Sequence, residues 1–265
     1  MDYIAMLFIN TRPKIRAEKL NQSLTAEGYE VIDYPLLELI ESPYLDELSG
    51  LYQQLAKTQV IVVVSPTAAE IGLRYLHLSG VEIEQLKHIQ WVAVGQRTAD
   101  YLAQSQIYAE VPAIETSEGM LQLEMFRSNS ELKRIAFWRG EGGRQFMMQH
   151  LQTQGVEVLN FVLYSRRCPA EATEHLAQLT SRISAEQQKV WVLISSEASW
   201  LNWLELLKAL PSHCHQCCYM VLGERLFHIL KTYQHQQNAY YSVCRVDDLK
   251  PETVLAQLKQ NEGRL

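Results

Sequence analysis

Lysine and arginine never gather into a run in this chain, and its formal net charge is −6. A nucleic-acid partner is thereby disfavoured, since phosphate backbones are held chiefly by clustered cations. The same balance repels an acidic small molecule at long range. An anionic ligand must then be held by local donors such as helix N-termini and single arginines. No apolar stretch reaches the roughly 18 residues of a membrane span, so no membrane partner is expected. The apolar segment Tyr3 to Ile9 follows Asp2 and has no small-residue cleavage pattern, so no secretory signal is expected there. Cysteine is sparse and odd in number, five in all, with Cys214, Cys217, Cys218 and Cys244 towards one end. That argues against a disulfide framework and for a reducing, cytoplasmic home. What is present is a globular composition, 47% hydrophobic and 20% charged over 265 residues. Such a chain makes one large domain or two of ordinary size.

The stretch Arg139-Gly140-Glu141-Gly142-Gly143-Arg144 stands out. An apolar run of strand type, Arg134 to Trp138, precedes it. Gln145 to Leu151 follows, with Met147, Met148 and Leu151 on one helical face. A strand passing through glycines into a helix presents free backbone N–H groups at a positive dipole end, a setting for phosphate or carboxylate. Two arginines bracket it, and their forked donors fit either group. Gly140-x-Gly142 also gives half of a dinucleotide fingerprint, but the third glycine would fall at Gln145 and no ribose-binding acid follows. A plain tight turn is the remaining reading.

Elsewhere strands and helices alternate. Ile4 to Ile9 is apolar and ends in Asn10-Thr11-Arg12-Pro13, where a cap residue and Pro13 begin a helix. Ile15, Leu20 and Leu24 are expected on its buried face, and Gly28 stops it. Tyr29 to Leu39 reads as extended, with a bend or an edge at Pro35. A helix from Leu45 to Lys57 leads to Val60–Val64, a strand buried on both faces. Ser65-Pro66-Thr67-Ala68 starts the next helix. The strand Trp91 to Val94 turns at Gly95 into a helix over Thr98 to Ala103. The order then recurs: Gly155 corresponds to Gly28, Ile194-Ser195-Ser196 to Val64-Ser65-Pro66, and Gly223-Glu224-Arg225 to Gly95-Gln96-Arg97. Each correspondence is offset by 127 to 130 residues. A steady offset of that size implies two copies of one βα domain, each an open parallel sheet with ligands at its strand C-terminal ends. The repeat alone divides the chain near residue 130, and a ligand cleft between two such sheets is expected.

Taken together these residues resemble the uroporphyrinogen-III synthase family. The matching elements are Thr11-Arg12-Pro13, Ser65, Gly95-Gln96-Arg97-Thr98-Ala99, Ser117-Glu118, Arg139 to Arg144, Tyr164-Ser165-Arg166 and Gly223-Glu224-Arg225-Leu226. They occur in the family's order from about residue 7 to residue 230. Leu226 stands where many members carry Thr, and Ser195-Ser196-Glu197 fits the family's Ser-rich turn only loosely. The resemblance implies an α/β fold of two similar open parallel-sheet domains, interleaved rather than consecutive. Residues 1–36 with 168–265 would form one, and 37–167 the other. Two extended linkers near Leu36-Leu37-Glu38 and Ser165-Arg166-Arg167 would join them, with Pro35 and Pro169 suiting extended backbone.

The resemblance further implies a lyase that closes hydroxymethylbilane into uroporphyrinogen III, losing water and inverting ring D, without cofactor or metal. Tyr164 is the implied catalytic residue, since a phenol with ordinary pKa near 10 stays protonated at neutral pH and donates to a departing hydroxyl. The substrate carries eight carboxylates. Implied contacts are Arg12, Ser65, Gly95, Thr98, Ser117, Arg139, Gly140, Ser195, Ser196 and Gly223. For each hydroxyl the alternative is an ordinary helix cap; for each arginine it is a structural ion pair. A monomer is expected, with transient contact to hydroxymethylbilane synthase, the preceding enzyme. The rival reading is a two-domain sensor that binds a carboxylated metabolite without turnover. His213-Cys214-His215-Gln216-Cys217-Cys218 has the spacing of part of a zinc or redox pair. No second such pair completes it, so a solvent-facing loop is expected. Trp200, Trp203, Leu204 and Leu207 follow helical spacing and read as core.

Overall fold

The computed structural model describes residues 6–127, 131–142, 145–210 and 216–262. Among them the strands are β1 (Leu7–Asn10), β2 (Glu30–Asp33), β3 (Glu38–Glu41), β4 (Val60–Val63), β5 (Gln90–Ala93), β6 (Arg134–Gly140), β7 (Glu157–Arg167), β8 (Val190–Ile194), β9 (Cys217–Leu222) and β10 (Ser242–Val246). They form two sheets, ordered β10-β9-β8-β1-β2 and β3-β7-β6-β4-β5. The chain divides into two compact units, Met1–Glu38 with Arg167–Leu265, and Leu39–Arg166. Each unit holds one of the sheets.

In the first unit every neighbouring pair of strands is parallel. In the second, β5-β4-β6-β7 is parallel throughout. Strands β1, β4 and β8 are buried at every position. Alternate residues therefore feed two separate cores, one on each face of the sheet. In the second unit Ile61, Val63, Ala136 and Trp138 enter one core, while Val60, Val62, Ile135 and Phe137 enter the other. In the first, Leu7, Ile9, Val190 and Val192 oppose Phe8, Trp191 and Leu193 in the same way. Helices cover both faces, as expected of an α/β fold of parallel sheets.

Several local expectations change. Ile15 is 91% exposed, not buried. The helix Lys14–Ala26 buries Ala17, Leu20 and Leu24, whose spacing of three and four defines one stripe that Ile15 lies off. Between Leu45 and Lys57 the helix is only Asp46–Tyr52, followed by a 3₁₀ turn at Leu55–Lys57. Gly50, a weak helix former, sits inside it. Tyr29 to Leu39 is not one extended segment but supplies β2 and β3 to different sheets. Between them Leu36 is buried, its N–H bonded to Thr11 O at 3.1 Å and its carbonyl to Asn202 Nδ2 at 2.7 Å. Ser165–Arg167 is the last part of β7. Trp200 and Trp203 are core residues, 1% and 0% exposed. Cys217 and Cys218, expected in a solvent-facing loop, instead lie inside β9 and are buried, because the strand already begins at Cys217.

The helix Pro66–Leu78 crosses β6 at Gly72, where an added Cβ would stand 2.1 Å from the Trp138 ring. Alanine normally gains about 1 kcal/mol over glycine inside a helix, whereas overpacking costs about 1–3 kcal/mol. Gly72→Ala is therefore expected to destabilise the protein in urea denaturation, with the slope unchanged. A stabilised variant would mean that Trp138 moves aside freely.

Candidate functional site

Because β4, β5, β6 and β7 run parallel, their carboxyl ends share one edge of the second unit. Four of the expected site segments leave from that edge. Ser65 follows β4 and caps the helix Pro66–Leu78, its Oγ accepting from Ala68 N at 3.0 Å. Tyr164, on β7, is level with Gly140 at the end of β6, where the register slips between Arg139 and Gly140. The slip brings the two close: an added Cβ on Gly140 would stand 2.5 Å from the tyrosine ring. Only glycine leaves the ring that space.

The Tyr164 ring is buried at 2% exposure, and its hydroxyl has two partners. Ser65 Oγ lies 3.0 Å away, and either oxygen can be the donor. Arg166 Nη2 donates to the phenol oxygen at 3.3 Å, with the guanidinium carbon 5.2 Å from the ring centroid. Ser65, Gly140, Tyr164 and Arg166 thus form one contact group. Arg139 is buried and donates to the Gly142 carbonyl. Burial lowers its pKa, partly offset by the neighbouring Tyr164. An arginine nonetheless keeps its charge, so the site holds a partly desolvated cation. Arg139 and Gly140 belong to the strand rather than to the turn after it; Gly143 and Arg144 lie outside the described residues.

The turn after β5 differs. Gly95 is the N-cap of the helix Gln96–Ala103, which has no side-chain cap of its own. The Glu115 carboxylate fills the place: its Oε1 accepts from Gln96 N at 2.9 Å, and its Oε2 is 2.4 Å from where a Gly95 Cβ would be. A helix N-terminus and a carboxylate attract each other, and here the carboxylate is internal. Thr98, in the first turn, is only 2% exposed, so its hydroxyl faces the interior. Ser117 is not a cap; Thr116 is, accepting from Gly119 N at 3.0 Å.

In the first unit the carboxyl ends of β1, β8 and β9 carry Arg12, Ser195-Ser196 and Gly223. Ser196 caps the helix Glu197–Leu207 and accepts from Ser199 N at 3.1 Å, leaving Ser195 half-buried and outside the cap. Gly223, at φ +77°, opens the helix Gly223–Gln236. Arg12 is half-buried, and its pKa is lowered first by burial and then by Arg16.

Arg74, Arg134, Arg167, Arg182, Arg225 and Arg245 each pair with a carboxylate. Among the described residues Arg12, Arg139 and Arg166 have no carboxylate partner. In an acidic chain, cations left unpaired at strand carboxyl ends are available to an outside anion. Arg166 and Glu115 received no role from sequence. For Arg166 a signal existed: two residues after Tyr164 on a strand, it shares that residue's face. For Glu115 none did, because its contact is with a turn 19 residues away. Among the described residues no group of three His, Cys, Asp or Glu is placed to hold a metal ion. His213, Cys214 and His215 lie outside them.

Comparison with known proteins bears on this arrangement. The family model described as "Uroporphyrinogen-III synthase HemD" matches residues 18–249. Uroporphyrinogen-III synthase of Escherichia coli (strain K12) is 26% identical over 226 residues, covering 83% of this chain and 89% of that protein. The Salmonella typhimurium protein of the same name is 26% identical over 235 residues, covering 85% and 91%. Among solved structures, a mutant uroporphyrinogen III synthase from the extremely thermophilic bacterium Thermus thermophilus superposes with a TM-score of 0.69 at 14% identity, over 98% of this chain and 100% of that one. The Helicobacter pylori enzyme gives 0.53 at 13% identity, over 96% and 99%. These structures are similar in fold.

The capping geometry separates the serines experimentally. Ser65→Ala and Ser196→Ala are each expected to cost about 1 kcal/mol, the usual value of a lost N-cap. Ser195→Ala is expected to stay within about 0.5 kcal/mol, as for a surface change that breaks no such feature. Equal losses at Ser195 and Ser196 in denaturant titrations would contradict the assignment.

Proposed function

The chain belongs to the uroporphyrinogen-III synthase family and is a cyclising lyase of tetrapyrrole (haem) biosynthesis, and we propose that Tyr164 is its proton donor. The reaction closes hydroxymethylbilane into uroporphyrinogen III with net loss of one water. Electron density from the first pyrrole expels the methylene hydroxyl, which leaves as water after taking the phenol proton. The resulting azafulvene is attacked by the substituted carbon of ring D. In the spiro intermediate that carbon's bond to the neighbouring ring C methylene breaks, and the methylene bonds instead to the unsubstituted carbon of ring D, which inverts the ring. Closure releases a ring proton, which restores the phenol. The observation that carries this reading is the contact group in which Gly140 admits the ring and Ser65 and Arg166 hold its hydroxyl.

Most of the catalysis lies in holding a flexible chain so that the wrong carbon of ring D cannot attack. The eight carboxylates supply the handles. In this reading Arg12, Ser195, Ser196 and Gly223 in the first unit take some of them. Ser65, Ser117, Arg139, Gly140 and the Gly95 turn in the second unit take others. The unpaired guanidinium groups and the helix N-termini that follow these strands support it. Thr98 serves by packing the turn, since its side chain is buried. A substrate carboxylate occupies the Gly95 turn only by displacing Glu115. The same reading takes residues 1–36 with 168–265 as one domain and 37–167 as the other, supported by the two compact units. It needs no cofactor or metal. It takes the protein as a cytoplasmic monomer that meets hydroxymethylbilane synthase transiently, and the free thiols of Cys168, Cys218 and Cys244 support that compartment. No helix among the described residues is long and apolar enough to cross a membrane.

Purified protein given hydroxymethylbilane is expected to yield the type III isomer above the uncatalysed type I background. Tyr164→Phe should retain the fold and lower turnover about 10²-fold, at the lower end for an acid–base group because water can replace the phenol. An unchanged rate removes Tyr164 from the mechanism. Treatment with a chelator is expected to leave turnover as it was, and inactivation reversed by added zinc would overturn the metal-free reading.

A further inference from the structure

We infer that Arg166 is the positioning residue of Tyr164, fixing where the phenol directs its proton; this rests on the proton-donor reading above. The two residues are i and i+2 on β7, so their side chains leave the same face of the sheet. The Arg166 guanidinium lies over the ring at 5.2 Å, and its Nη2 meets the phenol oxygen at 3.3 Å. Arginine has donors and no acceptor. The phenol oxygen is therefore the acceptor in this contact, and one of its two lone-pair sites is taken. Its hydrogen turns to the other side, where Ser65 Oγ lies at 3.0 Å. Ser65 Oγ already accepts from Ala68 N, which anchors it to the start of a helix. A departing hydroxyl that competes with Ser65 for the phenol proton finds it pointing away from Arg166. Once the proton has left, the same guanidinium faces a phenolate, and the hydrogen bond becomes charge-assisted on both sides.

The neighbouring arginine shows that this placement is not general to the strand. Arg167 pairs with Glu38 at 2.9 Å, whereas Arg166 has no carboxylate partner among the described residues and is exposed apart from its contact with Tyr164. An exposed side chain without an ion pair contributes little to stability, so its removal isolates the effect on the phenol.

The test uses the full chain with Arg166→Met, Arg166→Lys, Tyr164→Phe and the double variant Tyr164→Phe/Arg166→Met. Arg166→Met is expected to lower kcat about tenfold, the scale of one hydrogen bond to a charged group, with KM within about twofold. Arg166→Lys should recover part of the loss. In the Tyr164→Phe background the Met substitution should cost nothing further, because the two act as one unit. Additive losses, or a raised KM with unchanged kcat, would make Arg166 an independent substrate contact and overturn the inference. A second readout needs no turnover. The Cζ resonance of ¹³C-labelled tyrosine, assigned to Tyr164 by its loss in Tyr164→Phe, should move in Arg166→Met. If it stays, the contact does not exist in solution and the inference fails. If wild-type protein makes no type III isomer, the chemical reading falls while the Cζ shift still decides the contact.

Discussion

Burial of parallel strands on both faces is the constraint on which the other features rest. A strand packed against helices above and below has no place along its length for a polar side chain. Polar chemistry is therefore pushed to the strand ends, where backbone donors of the following helix are still free. That is where Arg12, Ser65, Gly95, Arg139, Ser195 and Gly223 lie. Tyr164 follows the same logic with a variation. Its strand runs three residues past it, and the phenol reaches the shared edge because β6 slips in register and ends in a glycine.

Charge is distributed to match. A chain of net charge −6 has carboxylates enough to pair many of its arginines, as at Arg74, Arg134 and Arg182. Leaving Arg12 and Arg139 partly buried without carboxylate partners costs desolvation energy, which at Arg139 the Gly142 carbonyl and Tyr164 offset only in part. The arrangement makes physical sense for a protein whose ligand brings its own carboxylates. Long-range repulsion from the acidic surface is then a modest, salt-screened cost beside several close contacts.

The α/β fold of parallel sheets was legible in the sequence because its signals are strong and local. The unbroken Val60–Val64 run, the glycine stops and the repeated turns each followed from a single physical rule. Trp200 and Trp203 were legible as core from helical spacing alone. Ile15 was misread because apolar character does not tell which stripe of a helix faces inward, and Ala17, a smaller residue, took the buried place. Cys217 was misread because a strand start is set by its neighbours, here Val190 on β8, which sequence pattern does not show. In the site, spacing to a cap could not separate Ser195 from Ser196 or Ser117 from Thr116, since one residue of shift decides which hydroxyl meets the helix. The Tyr164–Ser65 contact spans 99 residues and depends on sheet order, so no local rule contains it.

Glu115 gives the Gly95 turn an unusual selectivity. A carboxylate tethered on a short loop acts on its target like a free competitor at roughly millimolar concentration. Any small monocarboxylate in solution must exceed that figure before it gains the turn, so acetate or lactate at ordinary levels is turned away. A ligand already anchored elsewhere on the protein presents its next carboxylate at a comparable local concentration and competes on equal terms. On the binding role proposed for it, the turn therefore counts charges: one carboxylate is refused, and many on a single molecule are admitted.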